Sequence, residues 1–183
     1  MFKTLISSAA CILGLLCSSA TASAEETTNL VARHTDWSVF VGKGPKECWA
    51  VTAPKESANT RDGKKVTVRR GNIALFVFNR PDSDVKGQVT FTGGYPFANN
   101  LIIKLDLDGV TYDLRPEPMA ESPKDEWAWP PSPADDAKII AAMKRGAKAV
   151  VTAQSERGTV TKDTFSLNGF TAAVKDAEKR CAG

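Results

Sequence analysis

The sequence is poor in the side chains that hydrolytic and metal-dependent enzymes use. Its 183 residues include one histidine, His34, and four cysteines, two of which lie in the first 17 residues. A serine or cysteine hydrolase normally needs a histidine base beside its nucleophile. The Gly-x-Ser-x-Gly motif of one large hydrolase class is also missing. The sequence therefore argues against a triad hydrolase.

Long apolar runs and an excess of one charge are missing as well. After residue 24, no apolar run approaches the roughly 20 residues that a membrane-spanning helix needs. The formal net charge of +3 at pH 7 is too balanced to indicate nucleic-acid binding. We therefore predict a protein without a nucleic-acid partner and without a membrane span in its mature part.

The first 24 residues have the pattern of a secretory signal peptide. Lys3 precedes an apolar stretch that extends to about Cys17, and Ala22-Ser23-Ala24 forms an A-x-A cleavage signal. We predict cleavage near Ala24, a single mature domain of residues 25–183, and a location in the periplasm or at the cell surface. Lipidation of Cys17 is the alternative, although the residues before it do not fit a lipoprotein signal.

Removal of the signal peptide leaves two cysteines, Cys48 and Cys181. In an oxidising compartment, a disulfide between them is the expected state. Two free thiols or a metal site are the alternatives, but two cysteines and His34 do not complete a four-ligand zinc shell without carboxylates. We predict a Cys48–Cys181 disulfide, no metal and no cofactor.

Short segments rich in β-branched and aromatic residues, separated by Gly, Pro and Asp turns, predict a mainly β protein with an antiparallel β-sandwich. Residues 25–34 are predicted to be a polar lead-in, partly disordered, and residues 55–65 an exposed hairpin loop. Residues 72–79 include six consecutive apolar residues, which predicts a strand covered on both faces. The predicted strands are 37–41, 48–53, 65–69, 72–79, 88–92, 101–107, 110–112, 147–155 and 159–167.

Two helices complete the predicted fold. Ser132, Pro133 and Asp135 provide an N-cap, a proline at the first helical position and an acidic first turn for a short internal helix. A C-terminal helix is predicted from Phe170, with its apolar residues on one face that includes Cys181. This face turns Cys181 toward the sandwich and the strand that carries Cys48.

The segment Asp106–Gly109 admits two interpretations. Its DxDG pattern is similar to the start of a calcium loop, but an EF-hand needs further oxygen ligands at fixed later positions. Asp108-Gly109 between two alternating segments is a strong signal for a two-residue β-hairpin turn. We predict the hairpin.

A set of local motifs extends in order along essentially the whole mature chain. The motifs are Trp37-Ser38-Val39, Cys48-Trp49-Ala50-Val51, Gly94-Tyr95-Pro96-Phe97, and the run from Phe165 to Ala173 that Cys181 follows. Together with the signal peptide, they resemble the invasion-associated locus B family of exported bacterial proteins. The resemblance implies a periplasmic or surface-associated protein without enzymatic residues to transfer. The family is named for a member linked to host-cell invasion.

Residues 43–70 form the most basic part of the mature chain, with eight basic side chains against three acidic ones. Lys64, Lys65, Arg69 and Arg70 are the candidate binding surface, because clustered cations hold anionic lipid head groups or acidic glycans through charge-assisted hydrogen bonds. A solvated strand face that prevents edge-to-edge aggregation is the alternative.

Trp127 and Trp129 are the second candidate binding surface. They lie two residues apart, so on an extended segment they share a face and could form an aromatic platform for a partner. The alternative is that both side chains anchor a proline-rich loop to the core.

These observations favour an exported, non-enzymatic envelope protein that binds a protein partner or an anionic envelope component. A carboxylate-based hydrolase acting on an envelope polymer is the alternative from another class. A structural or stress-related periplasmic protein without a specific ligand is a third hypothesis. The acidic pairs open to the hydrolase are Asp82/Asp84, Asp106/Asp108 and Asp135/Asp136, all of which are predicted to lie in turns or helix caps.

Overall fold

The computed structural model describes residues 29–42, 46–117 and 126–182. The predicted signal peptide and its cleavage site lie outside these residues. The described strands are β1 (Leu30–His34), β2 (Trp37–Val41), β3 (Cys48–Thr52), β4 (Glu56–Arg61), β5 (Lys64–Lys65), β6 (Ala74–Arg80), β7 (Val85–Thr92), β8 (Ile103–Leu107), β9 (Val110–Pro116), β10 (Trp127–Trp129), β11 (Lys148–Gln154) and β12 (Val160–Ser166). The described helices are α1 (Pro133–Met143) and α2 (Phe170–Ala182).

All neighbouring strands pair antiparallel, in the order β1-β2-β3-β6-β7-β10-β9-β8-β11-β12-β4-β5. The first six strands in this order form one layer and the last six form the other. β9 joins the layers, since it pairs with β8 over most of its length and with β10 at its end. The predicted antiparallel β-sandwich with an internal and a C-terminal helix is confirmed.

The core lies between the two layers and follows the period-two alternation of the strands. In β3, Cys48, Ala50 and Thr52 are buried while the residues between them are half-buried. Across the layers, the ring of Phe91 on β7 meets that of Phe165 on β12 edge to face, with centroids 6.2 Å apart. Both rings are fully buried, and each such side chain contributes roughly 1.5–3 kcal/mol of hydrophobic stabilisation.

β6 has two differently covered faces. Leu75 and Val77 are fully buried in the core, whereas Phe76 and Phe78 on the outer face are half-buried. The outer rings are partly covered by a row of aromatic neighbours on the same face of the layer. This aromatic row consists of Phe40, Trp49, Phe78, Phe76 and Trp127. The side chains of the six-residue apolar run therefore alternate between two apolar surroundings. One set faces the core and the other contacts the aromatic row.

Three predicted segments differ from the structure. Residues 30–34 of the predicted lead-in form β1, which pairs with β2. Residues 56–61 of the predicted loop form β4, which pairs with β12. Of the predicted strand 65–69, only the first residue belongs to a strand, β5. β1 is a local hairpin partner of β2 whose polar sequence concealed it. β4 forms through pairing with β12, about 100 residues away in sequence, which local alternation does not encode.

α2 closes the core beside β1, β2 and β3. Its first residue, Phe170, packs edge to face on Trp37 with centroids 4.9 Å apart. Gly169 precedes the helix with φ +88°, and a Cβ there would lie 1.9 Å from the carbonyl oxygen of His34. Only glycine fits this approach without displacing β1.

The predicted disulfide between Cys48 and Cys181 is confirmed, with Cα atoms 5.8 Å apart. It joins β3 to the last turn of α2, and both cysteines are buried. The chain-entropy model gives about 5 kcal/mol for a closed loop of this length, as an upper figure. The covalent bond and the Phe170–Trp37 contact therefore fix α2 at both of its ends.

α1 begins and is anchored through its first turn. Ser132 is the N-cap, and its side chain accepts a hydrogen bond from Asp135 N, as predicted. Oδ1 of Asp136, a residue only 8% exposed, accepts a hydrogen bond from Val89 N on β7 at 2.7 Å. Burial raises the pKa of Asp136 to about 6 from 3.8. The folded protein therefore binds this proton more tightly than the unfolded chain, so this carboxyl lowers stability as the pH rises from about 4 through 6.

Asp136→Asn keeps the acceptor for Val89 N and removes the titration. We expect the free energy of unfolding of D136N, relative to the wild type, to rise by on the order of 2 kcal/mol between pH 4 and pH 7. Urea unfolding at both pH values measures this difference. Asp135→Asn is the control of opposite sign, because the Ser132 hydroxyl and then Lys138 lower the pKa of Asp135. A D136N difference that is independent of pH would contradict the prediction.

Candidate functional site: an arginine-lined cleft

A cleft of about 490 Å³ lies where the chain returns from β5 in one layer to β6 in the other. We call it the arginine cleft, because four arginines line it. Its remaining lining comes from the bend after β7, the β11–β12 turn and the residue before β10. The lining residues are Arg61, Val68, Arg69, Arg70, Gly94, Tyr95, Pro96, Glu126, Ser155, Glu156, Arg157, Thr159 and Thr161.

Two glycines bring the walls of the arginine cleft together. Gly71 N donates a hydrogen bond to the carbonyl oxygen of Gly94 at 2.8 Å. Gly94 has φ +70°, and a Cβ there would lie 2.6 Å from the carbonyl carbon of Gly71. This backbone approach places the neighbouring residues Arg70 and Tyr95 side by side, with the guanidinium 5.0 Å from the ring centroid.

The floor of the cleft is a buried ion pair. Arg70 donates through Nη1 and Nη2 to the two carboxylate oxygens of Asp163, at 2.8 and 2.6 Å. The side chains are 6% and 0% exposed. Arg70 Nε also donates to the carbonyl oxygen of Gly93, and the Ser57 hydroxyl donates to Asp163. Both charged groups are therefore fully engaged, so Arg70 supports the cleft from below rather than presenting a free cation.

The rim of the cleft carries the exposed charges. Arg61, Arg69 and Arg157 are exposed cations, and Glu126 and Glu156 are the carboxylates beside them. Nη2 of Arg61 donates to the hydroxyl of Thr159 at 2.6 Å. Within the described part of the chain, neither Arg69 nor Arg157 forms an ion pair. These two guanidiniums are available to an anionic ligand.

The predicted basic surface is divided between two places. Arg69 lies on the rim of the arginine cleft and Arg70 in its floor. Lys64 and Lys65 form β5, the exposed strand at one edge of the sheet, and do not line the cleft. Their position suits charges that protect a strand edge from pairing with another chain.

The predicted tryptophan surface lies away from the lining of the cleft. Trp127 belongs to the aromatic row, where its ring lies 5.5 Å from that of Phe76. Trp129 is half-buried two residues later on the same strand, opposite Arg115. The Trp127 ring therefore contacts its own sheet, and only the preceding residue, Glu126, reaches the cleft.

The acidic pairs have structural partners. Five of their six carboxylates accept a hydrogen bond, two from the same turn or cap and three from another segment of the chain. The acceptors and donors are Asp82 with Lys46 N, Asp106 with Gly109 N, Asp108 with Ala147 N, Asp135 with the Ser132 hydroxyl, and Asp136 with Val89 N. Asp84 is exposed beside Lys86. Over the described ranges, no group of three or more His, Cys, Asp or Glu side chains could hold a metal ion.

Several cleft residues could not be recognised in the sequence as members of one site. Arg61 ends β4, Glu126 precedes β10, and Glu156 and Arg157 share the turn between β11 and β12. The pairing of β4 with β12, about 100 residues away in sequence, brings Arg61 to that turn. The one local signal was Gly94-Tyr95-Pro96-Phe97, which contains both the close-approach glycine and the ring beside Arg70.

Replacement of Asp163 tests how strongly the stability of the protein depends on the neutralisation of Arg70 in the floor of the cleft. We expect Asp163→Ala to lower the free energy of unfolding by about 3–5 kcal/mol, because it leaves a buried guanidinium without a counterion. The double variant R70M/D163L replaces both charges with apolar groups and should cost much less. Urea unfolding of both variants measures this. Equal losses in the two variants would contradict the interpretation.

The model of the family described as Invasion associated locus B (IalB) protein matches residues 130–178, from just before α1 into α2. No curated protein matches the sequence. The crystal structure of invasion associated protein B from Bartonella henselae superposes with a TM-score of 0.53 over 84% of this chain and 99% of that one, at 16% identity. The family model therefore shows a resemblance to this family over residues 130–178, and the Bartonella henselae structure shows that the fold is shared.

Proposed function

We propose that the chain is an exported envelope protein that binds an anionic envelope component in the arginine cleft. The observation that carries the proposal is the pair of guanidiniums, Arg69 and Arg157, which form no ion pair with any residue that the structure describes and lie above a floor whose own charges cancel. Because Arg70 is compensated by Asp163, the net attraction for an anion comes from the rim. Guanidinium groups bind carboxylates and phosphates through paired, charge-assisted hydrogen bonds.

Binding is favoured over catalysis because His34 and most carboxylates of the acidic pairs are engaged in structural contacts. His34 Nε2 lies 3.0 Å from Asp176 on α2 and holds β1 to that helix. Five of the six carboxylates in the candidate acidic pairs accept hydrogen bonds that hold a turn, a helix cap or a contact between two segments of the chain. The resemblance to this family also supports a non-enzymatic protein. The word invasion belongs to the names of the family and of the Bartonella henselae protein.

Export is supported by three observations. The first 24 residues have the signal-peptide pattern, and the buried Cys48–Cys181 bond is typical of oxidising compartments. The resemblance to the invasion associated locus B family also implies an exported protein. In this proposal residues 25–183 are the mature domain.

The intact mass of protein purified from the periplasm tests export and the disulfide together. We expect a chain that begins at Glu25, with two thiols that react with an alkylating reagent only after reduction. Both thiols should then be assigned to Cys48 and Cys181. A mass that retains the first 24 residues, or a lipid-modified chain that begins at Cys17, would contradict the proposed processing.

Paired charge removal tests the binding site. Fluorescein-labelled dextran sulfate serves as a general polyanion probe, and its anisotropy is measured at 0.15 M NaCl to screen distant charges. We expect R69A/R157A to weaken binding by about tenfold or more, because charge-assisted hydrogen bonds are lost.

The double variant K175A/K179A is the matched control. It removes the same charge from exposed positions on α2, where alanine suits the helix. Its affinity for the probe should remain close to that of the wild type. Equal losses in the two variants would assign binding to overall charge and would refute the arginine cleft as the site.

A further inference from the structure

The charges on the rim do not suit a ligand that is only an anion. Glu126 and Glu156 stand beside the three exposed arginines, and no ion pair among the described residues neutralises either carboxylate. Each carboxylate repels an anion at short range. A carboxylate is, however, a strong acceptor, and it holds a ligand that brings hydroxyl donors of its own.

The rest of the lining has the same mixed chemistry. Ser155 and Thr161 contribute hydroxyls, and Tyr95 and Pro96 contribute apolar ring surface. The Tyr95 and Thr161 hydroxyls lie 2.5 Å apart. Burial raises the pKa of Tyr95 to about 12, so the phenol stays neutral at physiological pH. Cations, acceptors, hydroxyls and ring surface thus lie around one cleft of a size typical of small-ligand sites.

We propose that the arginine cleft binds an acidic saccharide, a sugar that carries a carboxylate or phosphate substituent. Arg69 and Arg157 hold the anionic substituent, and Glu126 and Glu156 accept hydrogen bonds from the sugar hydroxyls. The inference rests on the proposed function and makes it specific. It assigns the glutamates a positive role in binding, which an anion without hydroxyl groups does not require.

Replacement of Glu156 distinguishes an acidic saccharide from an anion without hydroxyl groups. Glu156 is exposed, and its backbone N–H, which donates to the carbonyl oxygen of Pro96, is kept in Glu156→Ala. Glu178→Ala on α2 removes the same charge from an exposed site outside the cleft and is the control. The mature disulfide-bonded chain is titrated calorimetrically with trigalacturonate, glucose 6-phosphate, a neutral galactose trisaccharide and pyrophosphate.

We expect at least one of the two acidic sugars to bind the wild type more tightly than both the neutral sugar and pyrophosphate. The carboxylate sugar and the phosphate sugar separate the two possible substituents. In E156A the affinity for that acidic sugar should fall about tenfold, because acceptors for its hydroxyls are lost. The affinity of E156A for pyrophosphate should rise, because a repulsive charge is removed. E178A should change neither.

Two results would overturn the saccharide assignment and leave the proposed function standing. One is pyrophosphate binding that depends on Arg69 and Arg157 and is as tight as that of either acidic sugar. The other is an E156A variant that binds every anion more tightly. If instead R69A/R157A bound all the probes as the wild type does, both the saccharide assignment and the proposed function would fail.

Discussion

The bidentate contact between Arg70 and Asp163 is the constraint around which the arginine cleft forms. It ties a segment that belongs to neither layer to the middle of β12, with both side chains almost completely buried. A buried ion pair of this kind contributes little net stability, because desolvation offsets the attraction. Its effect is on position: together with the hydrogen bond from Val66 N to the carbonyl oxygen of Asn59, it holds this segment against the second layer, so that Arg69 lines the same cleft as Arg157.

The two glycines complete that arrangement through the backbone. Gly94 and Gly71 approach more closely than a side chain at Gly94 would permit, so Tyr95 and Arg70 lie side by side although they belong to different connecting segments. The site therefore combines a fixed floor, built by hydrogen bonds and backbone contact, with a rim of long exposed side chains. A rigid floor beneath adaptable charges is typical of surfaces that bind flexible polar ligands, because only the rim has to adjust.

Residue patterns over short stretches of the sequence predicted both helices and the disulfide. Ser132 and Pro133 marked the start of α1, and the spacing of Phe170 and Cys181 placed one face of α2 on the core. The disulfide followed from cysteine count and compartment. β4 was missed because its polar sequence forms a strand only through pairing with β12.

The candidate site was predictable only in part for the same reason. Arg69 and Arg70 stood out as neighbours in a basic segment, although their roles differ, since Arg70 is buried in the floor. Arg157 and Glu156 lie in a turn that sequence reasoning treated as a connection. Nothing local in that turn indicates that it faces residues 69–70, because the crossing from β5 to β6 is a property of the topology.

The span of the disulfide has a consequence for the order of events during maturation. Cys48 leaves the ribosome, and passes any export channel, 133 residues ahead of its partner. Throughout that interval its thiol has no native partner, so it is open to thiol–disulfide exchange with other thiols and disulfides. The disulfide therefore forms late. The Cys48 thiol on β3 stays unpaired until α2 packs over it and brings Cys181 into place.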